Sequence, residues 1–256
     1  MKHPLFPVLL AALLAAPAIS RGDENRYDIL SRLLLPFVNV LAKNTTNPNR
    51  ALQLTGSLEQ MTDVPPALVG SKAELALEYP DKLRLRVPIL GEDVTICRRG
   101  QELWAYPASK IEPLLEAAAA QKKLPKLDRK YRLEPFALPI PEKHLIFLPA
   151  LFQIKEVGTE PLDGEPCRVL DLFLMPELAK SLKAPGWAAR VWARPNATPA
   201  RLSVAKPGWN IVVRFERVEF SPTLPETTWE PTSEQAGDVL KLDPPRYQQL
   251  LETLVK

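Results

Sequence analysis

The chain has 256 residues, and its 33 Lys and Arg against 30 Asp and Glu leave a formal charge of +3. This balance argues against nucleic acid as a partner, because nucleic-acid binding needs a concentrated basic surface. The 28 prolines, against only 10 glycines, fall mostly at strand ends and in loops, where a residue without an N–H does least harm to a sheet.

The N-terminus has the pattern of a secretory signal peptide. Lys2 precedes an apolar run over residues 5–19, and Ala18 and Ser20 place small side chains where a signal peptidase reads them. The run is shorter than the ~20 residues that span a bilayer, and two prolines interrupt it. We therefore expect export, cleavage after Ser20, and a mature protein of residues 21–256 that forms a single domain.

The first predicted element of that domain is a helix over residues 23–43. Asp23 is a suitable N-cap, and Pro36 is expected to kink or divide the helix, because its ring clashes with the carbonyl four residues earlier. Strands follow over residues 51–58 and 73–79. Each has an apolar face of alternate residues, formed by Leu52, Leu54 and Leu58 in the first and by Ala73, Leu75, Leu77 and Tyr79 in the second.

Residues 79–107 predict an antiparallel meander. Leu83, Leu85 and Val87 alternate with basic residues, which places the three apolar side chains on one face. The next two runs carry the apolar residues Val94, Ile96, Leu103, Trp104 and Tyr106. Connections this short can only join antiparallel neighbours, because parallel strands need a long crossover.

The rest of the chain returns to the same kind of strand after two helix-prone segments. Helices are predicted over residues 111–123, 142–152 and 175–184, and strands over residues 153–158, 168–174, 187–194, 202–205 and 211–220. The last strand alternates through Phe215 and resumes its alternation at Val218, which indicates a bulge. A final helix is capped by Asp243 and opened by Pro244.

About ten strands with a few helices predict a mainly β protein of the α+β type. A single antiparallel sheet of this size curls under its own twist. We therefore expect one curled sheet that forms an open half-barrel, with helices covering its concave side and completing an apolar cavity.

The two cysteines leave alternatives open. An oxidising compartment favours a disulfide between Cys97 and Cys167. If the strands run in sequence order, however, the two residues lie three strands apart, roughly 14 Å at the usual strand spacing. A disulfide needs Cα atoms within ~7 Å, so only a strongly curled sheet would join them.

Catalytic chemistry is not recognisable in the sequence. His144 has no second His or Cys near it with which to form a metal or general-base site. Asp171 lies in an apolar strand, where a lone carboxylate could have a raised pKa and act in catalysis. The alternative is a side chain on the solvent face of an antiparallel strand. We expect no enzyme activity, no metal and no cofactor.

Two motifs in the central meander follow a recognisable order. Residues 79–85 read YPDKLRL, a strand end followed by Pro, a turn and a strand, and residues 100–106 read GQELWAY. Together they resemble LolA, the family of periplasmic carriers of outer-membrane lipoproteins. The fold of that family is an open β-barrel with a helical lid, so the resemblance implies a periplasmic protein that encloses acyl chains. Enclosure is needed because each buried CH₂ is worth ~0.8 kcal/mol and a lipid anchor cannot otherwise cross water.

The resemblance also implies where the cargo would bind. The candidate cavity residues are Leu75, Leu77, Tyr79, Leu83, Leu85, Ile96, Trp104 and Tyr106, and the candidate lid residues are Leu145 and Phe147. Tyr79 stands where the proteobacterial carriers have an Arg that holds the lid closed. A tyrosine can donate only one hydrogen bond, so the lid mechanism of the family does not transfer to this chain.

The resemblance further implies an acylated lipoprotein or a lipid as cargo, and a monomeric carrier. Its delivery partners would be an inner-membrane release complex and an outer-membrane acceptor. The alternative is an envelope sensor or interaction module that recognises lipoproteins or lipids without catalysis, since related folds occur in stress regulators. Such regulators usually carry a second domain.

Overall fold

The computed structural model describes residues 25–43, 45–63, 66–89, 92–121, 132–136 and 147–255. The predicted signal peptide lies outside these residues. The eleven strands are β1 Ala51–Met61, β2 Lys72–Glu78, β3 Lys82–Ile89, β4 Glu92–Arg99, β5 Glu102–Tyr106, β6 Phe152–Leu162, β7 Glu165–Leu174, β8 Ala188–Ala193, β9 Pro199–Lys206, β10 Trp209–Ser221 and β11 Leu240–Lys241. The α-helices of the same described residues are α1 Arg26–Leu41, α2 Ala108–Gln121, α3 Pro176–Ser181 and α4 Pro244–Val255.

All eleven strands form one antiparallel sheet, which confirms the predicted fold class. Their order is β11-β5-β4-β3-β2-β1-β10-β9-β8-β7-β6, so β11 and β6 are the two edges and the sheet does not close. The strands do not run in sequence order, which was the condition of the three-strand separation between Cys97 and Cys167. Two meanders, β1 to β5 and β6 to β10, are joined where β1 pairs with β10. We call this strand pair the seam.

The seam contains the bulge that the sequence predicts. Thr55 pairs with Arg217 and Gly56 pairs with Phe215, so Glu216 is the extra residue. The side-chain alternation of β10 therefore changes between Phe215 and Val218, as a bulge requires. A second register shift, between Leu58 and Gln60, lies further along β1.

Helices cover one face of the sheet, which we call the inner face. The first half of α1 packs on β6 to β9 through Ile29, Leu30 and Leu33, and its second half packs on β1 and β2 through Val40. α2 and α4 pack together on β4 and β5, with Ile111 and Leu250 fully buried there.

The opposite, outer face has a cover of its own over β1 to β5. Residues 222–239 cross it, and the side chain of Trp229 is buried against Ala76, Cys97 and Trp104. Val239, at the end of this segment, packs against the same cluster. The segment continues into β11, which pairs with β5 and was not predicted.

The helix boundaries agree with the sequence apart from three details. α1 begins after Asn25, whose side chain accepts a hydrogen bond from the N–H of Tyr27 at 3.1 Å, rather than after Asp23. Pro36 lies inside α1 and does not divide it. Of the predicted helix over residues 142–152, the described part is a 3-10 turn, Leu148–Leu151. Asp243 does cap α4, with its carboxylate accepting from the N–H of Arg246 at 2.8 Å.

Candidate functional site

An apolar row crosses the inner face from one meander into the other. Directly paired residues on consecutive strands form it: Val218 on β10, Leu54 on β1, Leu75 on β2, Leu85 on β3, Ile96 on β4 and Ala105 on β5. Paired residues of antiparallel strands share a face. The alternation seen in the sequence therefore yields one continuous apolar surface, which we call the central row.

Only the ends of the central row are covered. Ile96 and Ala105 have 0% exposure, under α2 and α4. Leu54 and Val218 pack beside α1. Leu75 and Leu85, between these two covers, are partly exposed and belong to neither cluster of the described residues. The middle of the row is thus an apolar strip that the described helices do not bury.

Beside this strip lies a second row with a charged residue in it. Leu52, Leu77 and Leu83 are paired in turn, and Leu83 pairs with Arg98. Leu77 is buried under α1, whereas Leu83 is half-buried at the edge of the same cluster.

Arg98 ties residues 132–136 to the sheet. Arg98 is 3% exposed, and its guanidinium donates to the carbonyl oxygens of Glu134 at 2.8 Å and Leu133 at 3.2 Å. The ring of Phe136 lies 4.5 Å from its guanidinium carbon, within cation–π range. Phe136 also donates its N–H to the carbonyl of Pro80 at 2.7 Å. This contact was not predicted from the sequence, because Arg98, followed by Arg99 and Gly100, looks like a solvent-facing residue at a strand end.

The apolar surface continues past the seam into the second meander. Leu58, Val213 and Leu202 are paired in turn, as are Met61, Ile211 and Val204, and all six side chains are partly exposed. The surface ends at the start of β8 and β10 with Trp187 and Trp209. None of these positions was among the predicted site residues, although the alternation of β10 was recognised.

Trp104 and Tyr106 were expected to share one surface with Leu75, Leu83 and Leu85. They lie instead on the outer face. Trp104 pairs with Cys97, and its indole N–H donates to the carbonyl of Trp229 at 3.2 Å. Tyr106 packs against the same cluster. Both faces of β5 are buried, because helices cover one side and residues 222–239 the other.

Tyr79 and Phe147 lie apart from the central row. Tyr79 follows β2, and its ring stacks on the guanidinium of Arg50, whose central carbon is 3.9 Å from the ring centroid. Phe147 precedes the 3-10 turn and is partly buried. Leu145 lies outside the described residues.

A groove of ≈ 290 Å³ on the outer face has the opposite character to the central row. Arg84, Arg86, Glu74 and Thr228 are among its lining residues. Arg86 is ion-paired with Asp93 and, at 3.5 Å, with Glu74. The hydrogen bond that its guanidinium donates to the Asp93 carboxylate is the main cause that raises the pKa of Arg86. Arg84 donates to the carbonyl of Thr228 at 3.0 Å. Paired charges of this kind make the groove unsuitable for acyl chains.

The cysteines are free, buried thiols. Cys97 on β4 and Cys167 on β7 are seven strands apart in the sheet order, not three, which corresponds to roughly 33 Å at the usual spacing. Burial raises the pKa of the Cys97 thiol to about 12. A disulfide between the two is therefore excluded by the topology.

Asp171 does not have the environment of a catalytic acid. Its carboxylate accepts two hydrogen bonds from the guanidinium of Arg190, at 2.6 and 3.0 Å, across β7 and β8 on the outer face. His144 lies outside the described residues. Within the described ranges, no cluster of three His, Cys, Asp or Glu side chains is arranged for a metal ion, and no helix is long and apolar enough to cross a membrane.

No protein-family model matches the sequence, and no curated protein matches it. Among solved structures, the chain is similar to lipoprotein LppX of Mycobacterium tuberculosis, at 11% identity over 80% of this chain and 99% of that one, with a TM-score of 0.44. It is similar to MucB in the MucA/MucB complex of Pseudomonas aeruginosa, at 13% identity over 82% of this chain, with a TM-score of 0.44. It spans only 62% of that MucB structure.

A LolA superfamily protein from Nitrosomonas europaea is also similar, at 12% identity over 78% of this chain and 96% of that one, with a TM-score of 0.29. Solved structures similar to the chain thus include the superfamily that its two central motifs resemble. All three TM-scores lie below 0.5, so the function proposed for this chain rests on its own geometry.

Proposed function

We propose that this chain carries lipid acyl chains across the periplasm, bound along the central row. The observation that supports it is the uncovered apolar strip at Leu75 and Leu85, flanked on both sides by helices that pack on the same face. From β10 to β4 the row crosses four strand spacings, about 19 Å. Each acyl CH₂ that leaves water on this surface contributes ~0.8 kcal/mol.

The side chains of the strip suit a carrier that must also release its cargo. Leucines adapt to an acyl chain through dispersion and burial alone, with no directional contact that would have to be broken. Leu83 and, beyond the seam, Leu58 and Val213 extend the strip sideways, so the surface is wider than one chain. We propose either a lipoprotein anchor or another lipid as cargo.

Export follows from the predicted signal peptide over residues 1–20, which makes residues 21–256 one periplasmic carrier domain in this proposal. A carrier in that compartment needs a donor that loads it and an acceptor that unloads it. An inner-membrane release complex and an outer-membrane acceptor would serve these roles.

Two substitutions in one row test the proposal. Leu85→Glu places a carboxylate on the uncovered strip, where it stays hydrated in the empty protein, so we expect the protein to fold. Binding of a fluorescent fatty acid should weaken about tenfold or more, the equivalent of leaving about two methylene groups in water. Ile96→Glu changes the residue that pairs with Leu85, and Ile96 has 0% exposure. It should unfold the protein, since a buried lone carboxylate costs several kcal/mol.

A third variant controls for added negative charge. Leu35, on α1, is apolar and 52% exposed, so Leu35→Glu should change neither the melting temperature nor fatty-acid binding. Thermal melts and binding titrations are measured for all three variants. Unfolding of Leu85→Glu would mean that the strip is part of a filled core. A folded Leu85→Glu protein with unchanged binding would mean that the cargo does not touch this surface.

A further inference from the structure

One end of the second meander carries two tryptophans and a lysine in direct contact. Trp187 precedes β8, Lys206 ends β9, and Trp209 opens β10 and pairs with Lys206 across a two-residue turn. The indole rings lie 6.0 Å apart, and the ammonium of Lys206 is 5.4 Å from one ring centroid and 5.7 Å from the other. These distances are within cation–π range, so the three side chains form one unit.

The backbone around this unit is closely packed. Gly186 has φ +73°, and a Cβ there would come within 2.9 Å of the ring of Pro207, so the loop before β8 lies against the turn between β9 and β10. The start of β10 is fixed to the end of β1, because the N–H of Asn210 donates to the hydroxyl of Thr62 at 2.9 Å. The two tryptophans are thus presented on a defined surface.

The loop beside the unit is basic and has an exposed apolar tip. Leu182 is 57% exposed, more than any other large hydrophobic residue in the described part of the chain. Lys180, Lys183 and Lys206 are exposed, and no ion pair is described for them within the described ranges. Glu177 is the one acidic residue between positions 175 and 209.

We propose that this end of the sheet docks on the surface of an anionic lipid bilayer. The docking residues are Trp187, Lys206 and Trp209, together with Lys180 at the end of α3 and Leu182 and Lys183 in the loop that follows it. Indole rings favour the level of the head groups, where their apolar body and N–H are both accommodated. An exposed leucine can enter the acyl boundary, and each lysine near an anionic surface adds attraction. The net positive charge of this loop and turn selects an anionic bilayer over a neutral one.

The position of the unit explains what docking would achieve. The next paired residues inward from Lys206 and Trp209 on the inner face are Val204 and Ile211, where the apolar surface of the second meander begins. A lipid leaving the bilayer between the tryptophans would therefore meet the apolar face without crossing water. This purpose rests on the proposed function, whereas docking itself can be measured separately.

Sedimentation with vesicles tests the docking. The wild-type protein is expected to bind vesicles of phosphatidylcholine mixed with phosphatidylglycerol, to bind phosphatidylcholine alone much less, and to lose binding as salt is added. The triple variant Lys180→Gln, Lys183→Gln, Lys206→Gln should bind the anionic vesicles about a hundredfold more weakly, since each lysine near the surface contributes about a fivefold factor. The matched triple Lys43→Gln, Lys155→Gln, Lys241→Gln removes equal charge from exposed positions elsewhere and should bind nearly as wild type does.

Leu182→Ser and Leu35→Ser each remove one exposed apolar side chain. Only Leu182→Ser should weaken binding to the anionic vesicles. Equal loss in the two lysine triples would overturn the proposal, since it would reflect net charge alone. So would equal binding to neutral vesicles, or failure of the wild-type protein to bind either kind. Binding of a protein from the envelope at these residues, with no vesicle binding, would also overturn it.

Fatty-acid uptake without vesicles separates this proposal from the previous one. The lysine triple should take up a fluorescent fatty acid as the wild type does. Vesicle binding with no uptake by the wild type would refute only the carrier function, and uptake with no vesicle binding would refute only the docking surface.

Discussion

Gly56, at the seam, permits a stringent test of the packing described above. A Cβ at this position would lie 2.9 Å from the carbonyl oxygen of Arg214 and 3.1 Å from Cγ1 of Val213. Because the first of these atoms belongs to the backbone of β10, Gly56→Ala forces the paired strands to move. Overpacking of this kind costs about 1–3 kcal/mol. Alanine also reduces the entropy of the unfolded chain, which returns up to ~1 kcal/mol.

The expected net loss for Gly56→Ala is therefore about 1–2 kcal/mol. In a domain of this length that lowers the Tm by roughly 2–8 °C. The matched control is Gly237→Ala, because nothing in the described residues lies within 4 Å of a Cβ there and its φ is not left-handed. It should leave the Tm unchanged or slightly raised. Equal Tm values for the two variants, measured by thermal melts, would refute the close approach of β1 and β10.

Two further predictions concern buried titratable groups. Cys97 and Cys167 should remain unlabelled by an alkylating reagent in the folded protein at neutral pH. Both should take up label once the protein is unfolded without reductant. Mass spectrometry measures the uptake, and a disulfide would take up no label. Burial raises the pKa of Tyr247 from 10.0 to about 12, so the stability that its neutral form contributes is complete below pH 10 and lost as the pH rises towards 12. Urea unfolding measures the free energy of unfolding at pH 10 and at pH 12. The decrease between these two pH values should be smaller for Tyr247→Phe than for the wild type. An equal decrease would contradict the raised pKa of Tyr247.

Local patterns in the sequence were sufficient for most strands of both meanders. The alternation of Leu83 and Leu85 depends on neighbouring residues only, and so does the change of alternation between Phe215 and Val218. The pairing of β1 with β10 could not be found in this way, because nothing near Ala51 indicates that its partner is Ser221. Strand order was therefore the part of the fold that local sequence patterns could not determine.

The candidate site was predictable where one face of a strand is apolar and not where both are. In β3, Lys82, Arg84 and Arg86 alternate with the leucines, and in β2 Glu74 and Glu78 flank Leu75 and Leu77 on the other face. Leu75 and Leu85 could therefore be assigned to one surface. In β5 the residues from Leu103 to Tyr106 are all apolar, because both faces are buried. Polar and apolar residues then do not alternate, so Trp104 could not be assigned to a face.

The seam also determines when the sheet can be completed during synthesis. β1 pairs with β2 through contacts between residues close in sequence, but its other edge stays open until Ser221 and the rest of β10 are available. Non-local pairings of this kind form slowly, because a long loop must be closed first. An open strand edge meanwhile invites pairing with another chain. The first meander therefore passes through a period in which its apolar strip and an unpaired edge are exposed together, and this period ends when the seam forms.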